Sequence, residues 1–296
     1  MVVAAVLRRR WIVLAAVGVL VGAGAVGYAL IPNGHENPSS TGTRAFHVVH
    51  DATTPPVTTP ADVQRVARVR HSTHGSDEIV LATPRSASNG RLVVFVHGSD
   101  EDAMTMIDSS QNASLTVALA RAGYAILGDD AGGNAWANPA SITSYVHAVS
   151  SVPATYRASG VYLIGESMGG LTSLQLLPRL PKVRAWIGIY PVCNLQSVYG
   201  LSKTSDLHAA VDAAWGTGLS TALAALSPPT ITAAIPAMAF SSVDDVTVRQ
   251  RDNADVCLSA FAHNAPGRAT LVSTAGIHGD PSNFQPARVV AAFDTA

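Results

Sequence analysis

Along this chain, short unbroken apolar runs alternate with longer stretches whose apolar positions recur every three to four residues. The runs 91–96, 124–128, 161–164, 183–190, 235–240 and 269–274 are mostly β-branched, aliphatic or aromatic. Such runs predict buried strands, covered on both faces where the apolar character is continuous. The stretches between them, at about 102–121, 141–156, 171–179, 206–225 and 282–293, predict helices. Two earlier segments, 63–69 and 78–82, predict an antiparallel opening to the sheet. Strand alternating with helix implies three layers: a mostly parallel central sheet with helices on both faces.

One segment breaks the pattern. Residues 11–31 are apolar and uncharged throughout and follow Arg8, Arg9 and Arg10. That is the length of a transmembrane helix, and the arginines place its start in the cytoplasm. Residues 1–31 are therefore expected to be a signal-anchor, with a cleaved signal peptide as the alternative. Residues 32–62, rich in Pro, Ser, Thr, Asn and Gly, are expected to form a flexible linker. The catalytic unit, 63–296, then lies on the extracytoplasmic side, or is secreted if the N-terminal segment is cleaved.

Composition narrows the function. Of 296 residues, 13% are charged and the net charge is −1, so no bulk field draws nucleic acid. No phosphate loop, dinucleotide fingerprint or metal-ligand spacing is present, so neither a cofactor nor a metal is expected. The two cysteines, Cys193 and Cys257, form an even pair in a chain expected to be exported, which makes them a disulfide candidate.

The chemistry gathers at Gly165-Glu166-Ser167-Met168-Gly169, between a predicted strand and a predicted helix. A serine there stands at the tip of a sharp turn, and the glycines permit the close backbone approach such a turn needs. Three further pieces accompany it in order: Val96-His97-Gly98-Ser99, residues 242–248 with Asp244 and Asp245, and Gly276-Ile277-His278-Gly279. On these four motifs the sequence resembles the α/β-hydrolase superfamily, and more loosely its esterase, lipase and prolyl-peptidase-like members, from residue 63 onward. The resemblance implies the three-layer α/β-hydrolase fold and a triad in the chain order serine, acid, histidine.

Carried onto this sequence, the resemblance makes Ser167 the nucleophile, His278 the base and Asp245 the acid, with Asp244 the alternative. It implies that the backbone N–H groups of Ser99 and Met168 form an oxyanion hole. His97 and Gly98 are expected to shape that loop and contact the substrate. Trp136, just past the next strand, is expected either on a substrate-contacting rim or in a capped turn leading into the following helix. A short lid is expected at about 194–230, with Trp215, Leu207, Val211 and Leu219 either lining the pocket or serving as ordinary core. The implied activity is hydrolysis of a carboxylic ester of a small-molecule or lipid-like substrate. An acyltransferase, a small peptidase and an inactive membrane-tethered binding module remain alternatives.

Overall fold

The structure is a computed structural model that describes residues 63–71, 77–84, 86–201 and 206–296, all within the compact unit Thr43–Ala296. Among these residues no helix is long and apolar enough to cross a membrane. The span expected at 11–31 and the linker at 32–62 lie outside them.

Eight strands form one sheet: β1 (Val63–His71), β2 (Asp77–Pro84), β3 (Arg91–Val96), β4 (Ala125–Asp129), β5 (Gly160–Glu166), β6 (Val183–Ile189), β7 (Ala237–Ser242) and β8 (Ala269–Thr274). Their order is β1-β2-β4-β3-β5-β6-β7-β8. Only β2 runs against its neighbours, pairing antiparallel with β1 and β4; the remaining pairs are parallel.

Alternation along the strands builds two cores, one per face. Leu92, Val94, Leu127, Val161 and Leu163 point to one side; Val93, Phe95, Ile126, Tyr162 and Ile164 point to the other. The first side is covered by α3 (Pro139–Ser151), α4 (Gly169–Leu176), α5 (Leu195–Tyr199), α6 (Asp206–Trp215), α7 (Leu219–Ala225) and α8 (Ala254–Asn264). The second is covered by α1 (Thr105–Asp108), α2 (Ser110–Arg121) and α9 (Pro286–Asp294). The central strands are buried on both faces, as their continuous apolar runs require.

Several expected helices are broken, each at an identifiable residue. The helix expected up to Arg121 splits at Ser109, whose extended backbone also starts α2. That expected over 206–225 divides at Gly216, which takes a positive φ of 48°. Pro153 closes α3 before a short 3-10 turn, and Pro286 starts α9 later than expected. Strand β7 begins after Pro236 rather than at Ile235.

Cys193, just past β6, and Cys257, on α8, are joined in a disulfide with a Cα–Cα separation of 5.9 Å.

Candidate active site

Parallel strands deliver their C-terminal ends to one edge of the sheet, and the residues immediately beyond them share that edge. His97 follows β3, Ser167 follows β5, Asp245 follows β7 and His278 follows β8. Strand order sets β5, β7 and β8 within three places of each other, so residues 167, 245 and 278 can meet.

They do meet. Ser167 Oγ lies 2.9 Å from His278 Nε2, and His278 Nδ1 lies 2.7 Å from Asp245 Oδ2. The other carboxylate oxygen, Oδ1, accepts from the N–H groups of Thr247 and Val248 at 2.9 and 2.8 Å. Asp245 is thus buried, held at both oxygens and fixed in orientation. Its neighbour Asp244 is exposed, with its backbone N–H on Ser242 Oγ, so the adjacent aspartates have separate environments.

The serine turn is sharp because its backbone is held in a rare state. Ser167 has a φ of +46°, which costs an L-residue strain energy and survives only where the surroundings enforce it. Those surroundings include its N–H on Ile189 O and its carbonyl oxygen accepting from Gly170 and Val192. Gly169 allows the closest approach: a Cβ there would stand 2.1 Å from the carbonyl oxygen of Val96. One at Gly165 would stand 2.4 Å from Ser173 Oγ. The glycines of the motif therefore bring the serine turn against both α4 and the end of β3.

The loop after β3 is similarly tied. His97 is buried, and its ring nitrogens lie 2.7 Å from Gly98 O and 3.1 Å from Asp130 O. Gly98 N–H donates to Glu101 Oε2 at 2.6 Å. A Cβ on Gly98 would be 3.4 Å from that of Ser167, so the loop passes directly over the serine. Among the described residues, the N–H groups of Ser99 and Met168 have no hydrogen-bond acceptor.

A cleft of about 270 Å³ opens above Ser167 and His278, walled by Gly98, Ser99, Trp136, Tyr190, Val198 and Leu207 among others. Trp136 lines the wall but is fully buried in the core rather than exposed on a rim, and Leu207 joins the wall from α6. His97 and Trp215 stand differently from the expectation of substrate contact. His97 is turned into the loop it shapes. Trp215 donates its indole N–H to Trp136 O at 3.0 Å, so it braces the wall from behind. Val211 is fully buried in the core rather than over the cleft. The helices expected as a lid thus do both: α5 and α6 wall the cleft through Val198 and Leu207, and α5, α6 and α7 join the core of their face.

Three residues without an expected role stand at the cleft beside Ser167. Glu166 is buried beneath the cleft, accepting from Asn112 Nδ2 at 3.1 Å and from the Tyr190 hydroxyl. Burial pushes its pKa up to about 8, with the negative charge of Glu101 adding to the rise and the two hydrogen bonds opposing it. Tyr190 sets the edge of its ring against the His278 imidazole, centroids 4.6 Å apart. Glu101, mostly buried at the cleft, is likewise raised by desolvation, against the pull of the Gly98 N–H. A motif search does not single these residues out, because their roles arise from neighbours distant in sequence. The only local signal is an acidic residue next to the serine of a buried strand end.

No protein-family model and no curated protein matches the sequence. Solved structures do match the fold. An esterase of Pyrobaculum calidifontis aligns with 81% of this chain and 87% of its own, at a TM-score of 0.61 and 17% identity. A Rhizomucor miehei esterase covers 81% and 85%, at 0.58 and 15%. An esterase of Pyrococcus furiosus covers 81% and 94%, at 0.57 and 14%. With a sheet of this order and a serine on its strand–turn–helix, these likenesses show that the chain has the α/β-hydrolase fold.

Proposed function

We propose that this protein is a serine hydrolase that cleaves a carboxylic ester through an acyl-enzyme. The observation that carries the reading is the continuous hydrogen-bonded chain Ser167–His278–Asp245 opening onto a cleft. In the first half-reaction Ser167 Oγ bonds to the ester carbonyl carbon while His278 Nε2 takes the hydroxyl proton. The carbonyl oxygen becomes an oxyanion facing the free N–H groups of Ser99 and Met168. His278 returns the proton to the alkoxide as the C–O bond breaks, and the alcohol leaves. Water then repeats the sequence, with its proton passing to His278 and back to Ser167. Asp245 keeps the Nδ1 proton in place and offsets the imidazolium charge. The esterase neighbours agree with ester substrates, and the cleft size suits a small acyl group.

Labelling with a fluorophosphonate tests the nucleophile. Wild type is expected to react and Ser167→Ala to stay unlabelled; equal labelling of both sinks the assignment. Matched p-nitrophenyl esters and anilides then separate esterase from peptidase.

The same reading extends to location. Residues 11–31, uncharged and apolar behind three arginines, favour an anchor with the catalytic unit outside the cytoplasm. The disulfide agrees with that compartment. Resistance of the full chain to carbonate extraction from membranes is the expected result, and release into the supernatant is the contrary one.

A further inference from the structure

Among the described residues four large apolar side chains stand exposed: Val243, Val246, Ile277 and, to a lesser degree, Leu271. Single exposed apolar residues are ordinary. Here three of the four, each about 70% exposed, lie on the two loops that meet at the Asp245–His278 hydrogen bond. Val246 directly follows Asp245, Val243 lies two residues before it, and Ile277 directly precedes His278. The next residues on the same loops, Thr247, Val248 and Gly279, line the cleft. The mouth of the site therefore has an apolar margin on its acid and histidine side.

Both loops are held in place. Asp245 fastens one through two backbone N–H groups. In the other, Gly276 packs against the Asp280 side chain, which in turn accepts from Ser282 N–H. The three side chains are thus presented outward by fixed backbone and support neither core nor cleft.

We infer that Val243, Val246 and Ile277 seat the cleft mouth on a lipid bilayer, from which the enzyme takes an amphiphilic ester. The choice of a bilayer rests on the anchor reading above: residues 11–31 carry the chain on a membrane, and lipid is the apolar phase always within its reach. Charge decides the mode of contact. Residues 243–248 and 275–280 include Asp244, the buried Asp245 and Asp280 but no lysine or arginine. Contact is therefore by insertion of apolar side chains and does not require anionic head groups. The cleft is too small to enclose a whole lipid. The ester carbonyl enters while the apolar body of the substrate stays in the bilayer.

The disulfide occupies both native cysteines, so Val246→Cys supplies one free thiol for an environment-sensitive dye. The full chain carrying it is reconstituted in phosphatidylcholine vesicles, with Arg288→Cys on α9, also exposed, as the control position. Brominated acyl chains are expected to quench the dye at 246 several-fold more than at 288, independently of salt and of catalytic activity. Equal quenching at both positions overturns the inference. So does a spectral shift at 246 without lipid that grows with protein concentration, which would assign the margin to a second copy. A chain that fails to float with vesicles overturns the inference together with the anchor reading, while leaving the fluorophosphonate result untouched. A second measurement uses Val243→Ser/Val246→Ser/Ile277→Ser. Its kcat/KM on water-soluble p-nitrophenyl acetate should match wild type, while turnover of an ester dissolved in the vesicles falls about tenfold. Equal turnover of the vesicle substrate by both proteins counts against docking.

Discussion

Glu166 lies next to Ser167, the proposed nucleophile, and its proton matters to stability and to the proposed reaction alike. An unfolded glutamate ionises near pH 4.3, whereas burial in the native state delays ionisation to about pH 8. Across that window the native state binds one proton more than the unfolded state, so stability falls as pH rises, by at most about 1.4 kcal/mol per pH unit. Glu166→Gln keeps the shape and removes the titration. Urea unfolding at pH 5 and pH 8 should show a smaller loss for the variant; an identical loss rules the account out. Ionisation above about pH 8 also places negative charge beneath the forming oxyanion, so wild-type kcat should decline there and the glutamine variant should hold its rate. The two aspartates give a sharper contrast. Asp245→Asn should lower kcat by about 10²- to 10⁴-fold, because the imidazole loses its fixed tautomer. Asp244→Asn, in an exposed residue, should stay within about twofold. That Ser167, Asp245 and His278 come together was anticipated from the resemblance, because each falls just beyond a strand in the order serine, acid, histidine. Glu101 and Tyr190 were not, because their place beside the site depends on how β3, β5 and β6 pack.

Elements were legible wherever periodicity was strong and unpunctuated. Strand β3 has the limits its apolar run implies, and β5 extends its run by only a residue or two at each end. Boundaries drifted where one glycine, proline or serine outweighed a continuing apolar pattern, as at Gly216, Pro236 and Ser109. The 195–225 helices were only half legible, for another reason: they wall the cleft through Val198 and Leu207 and also join the core. An amphipathic helix carries the same signature whether its apolar face covers a pocket or joins a core, and here most of that face joins the core. Two predictions belong to this scale. Gly169→Ala forces a methyl group into the Val96 carbonyl and should destabilise the fold by about 3 kcal/mol or more, read as a lowered denaturation midpoint or loss of soluble protein. Replacing Cys193 and Cys257 by serine opens a link spanning 64 residues. Chain entropy puts that loss at about 4 kcal/mol, less any strain, measurable by chemical denaturation with and without reductant.

At the scale of the molecule, layers and strand order follow from alternation: each strand splits its side chains between two cores, and helices cover both. That much is encoded residue by residue and can be read without neighbours. The cleft is different, since its walls come from β3, the loop after β4, β6 and the helical cover, which no single stretch of sequence contains. The Gly169 contact has a practical bearing on altering substrate preference. Because the Ser167 turn and the loop after β3 touch backbone to backbone, neither can be swapped or lengthened alone. Directed-evolution libraries should leave both intact and randomise Val198 and Leu207, whose side chains line the cleft from the helical cover.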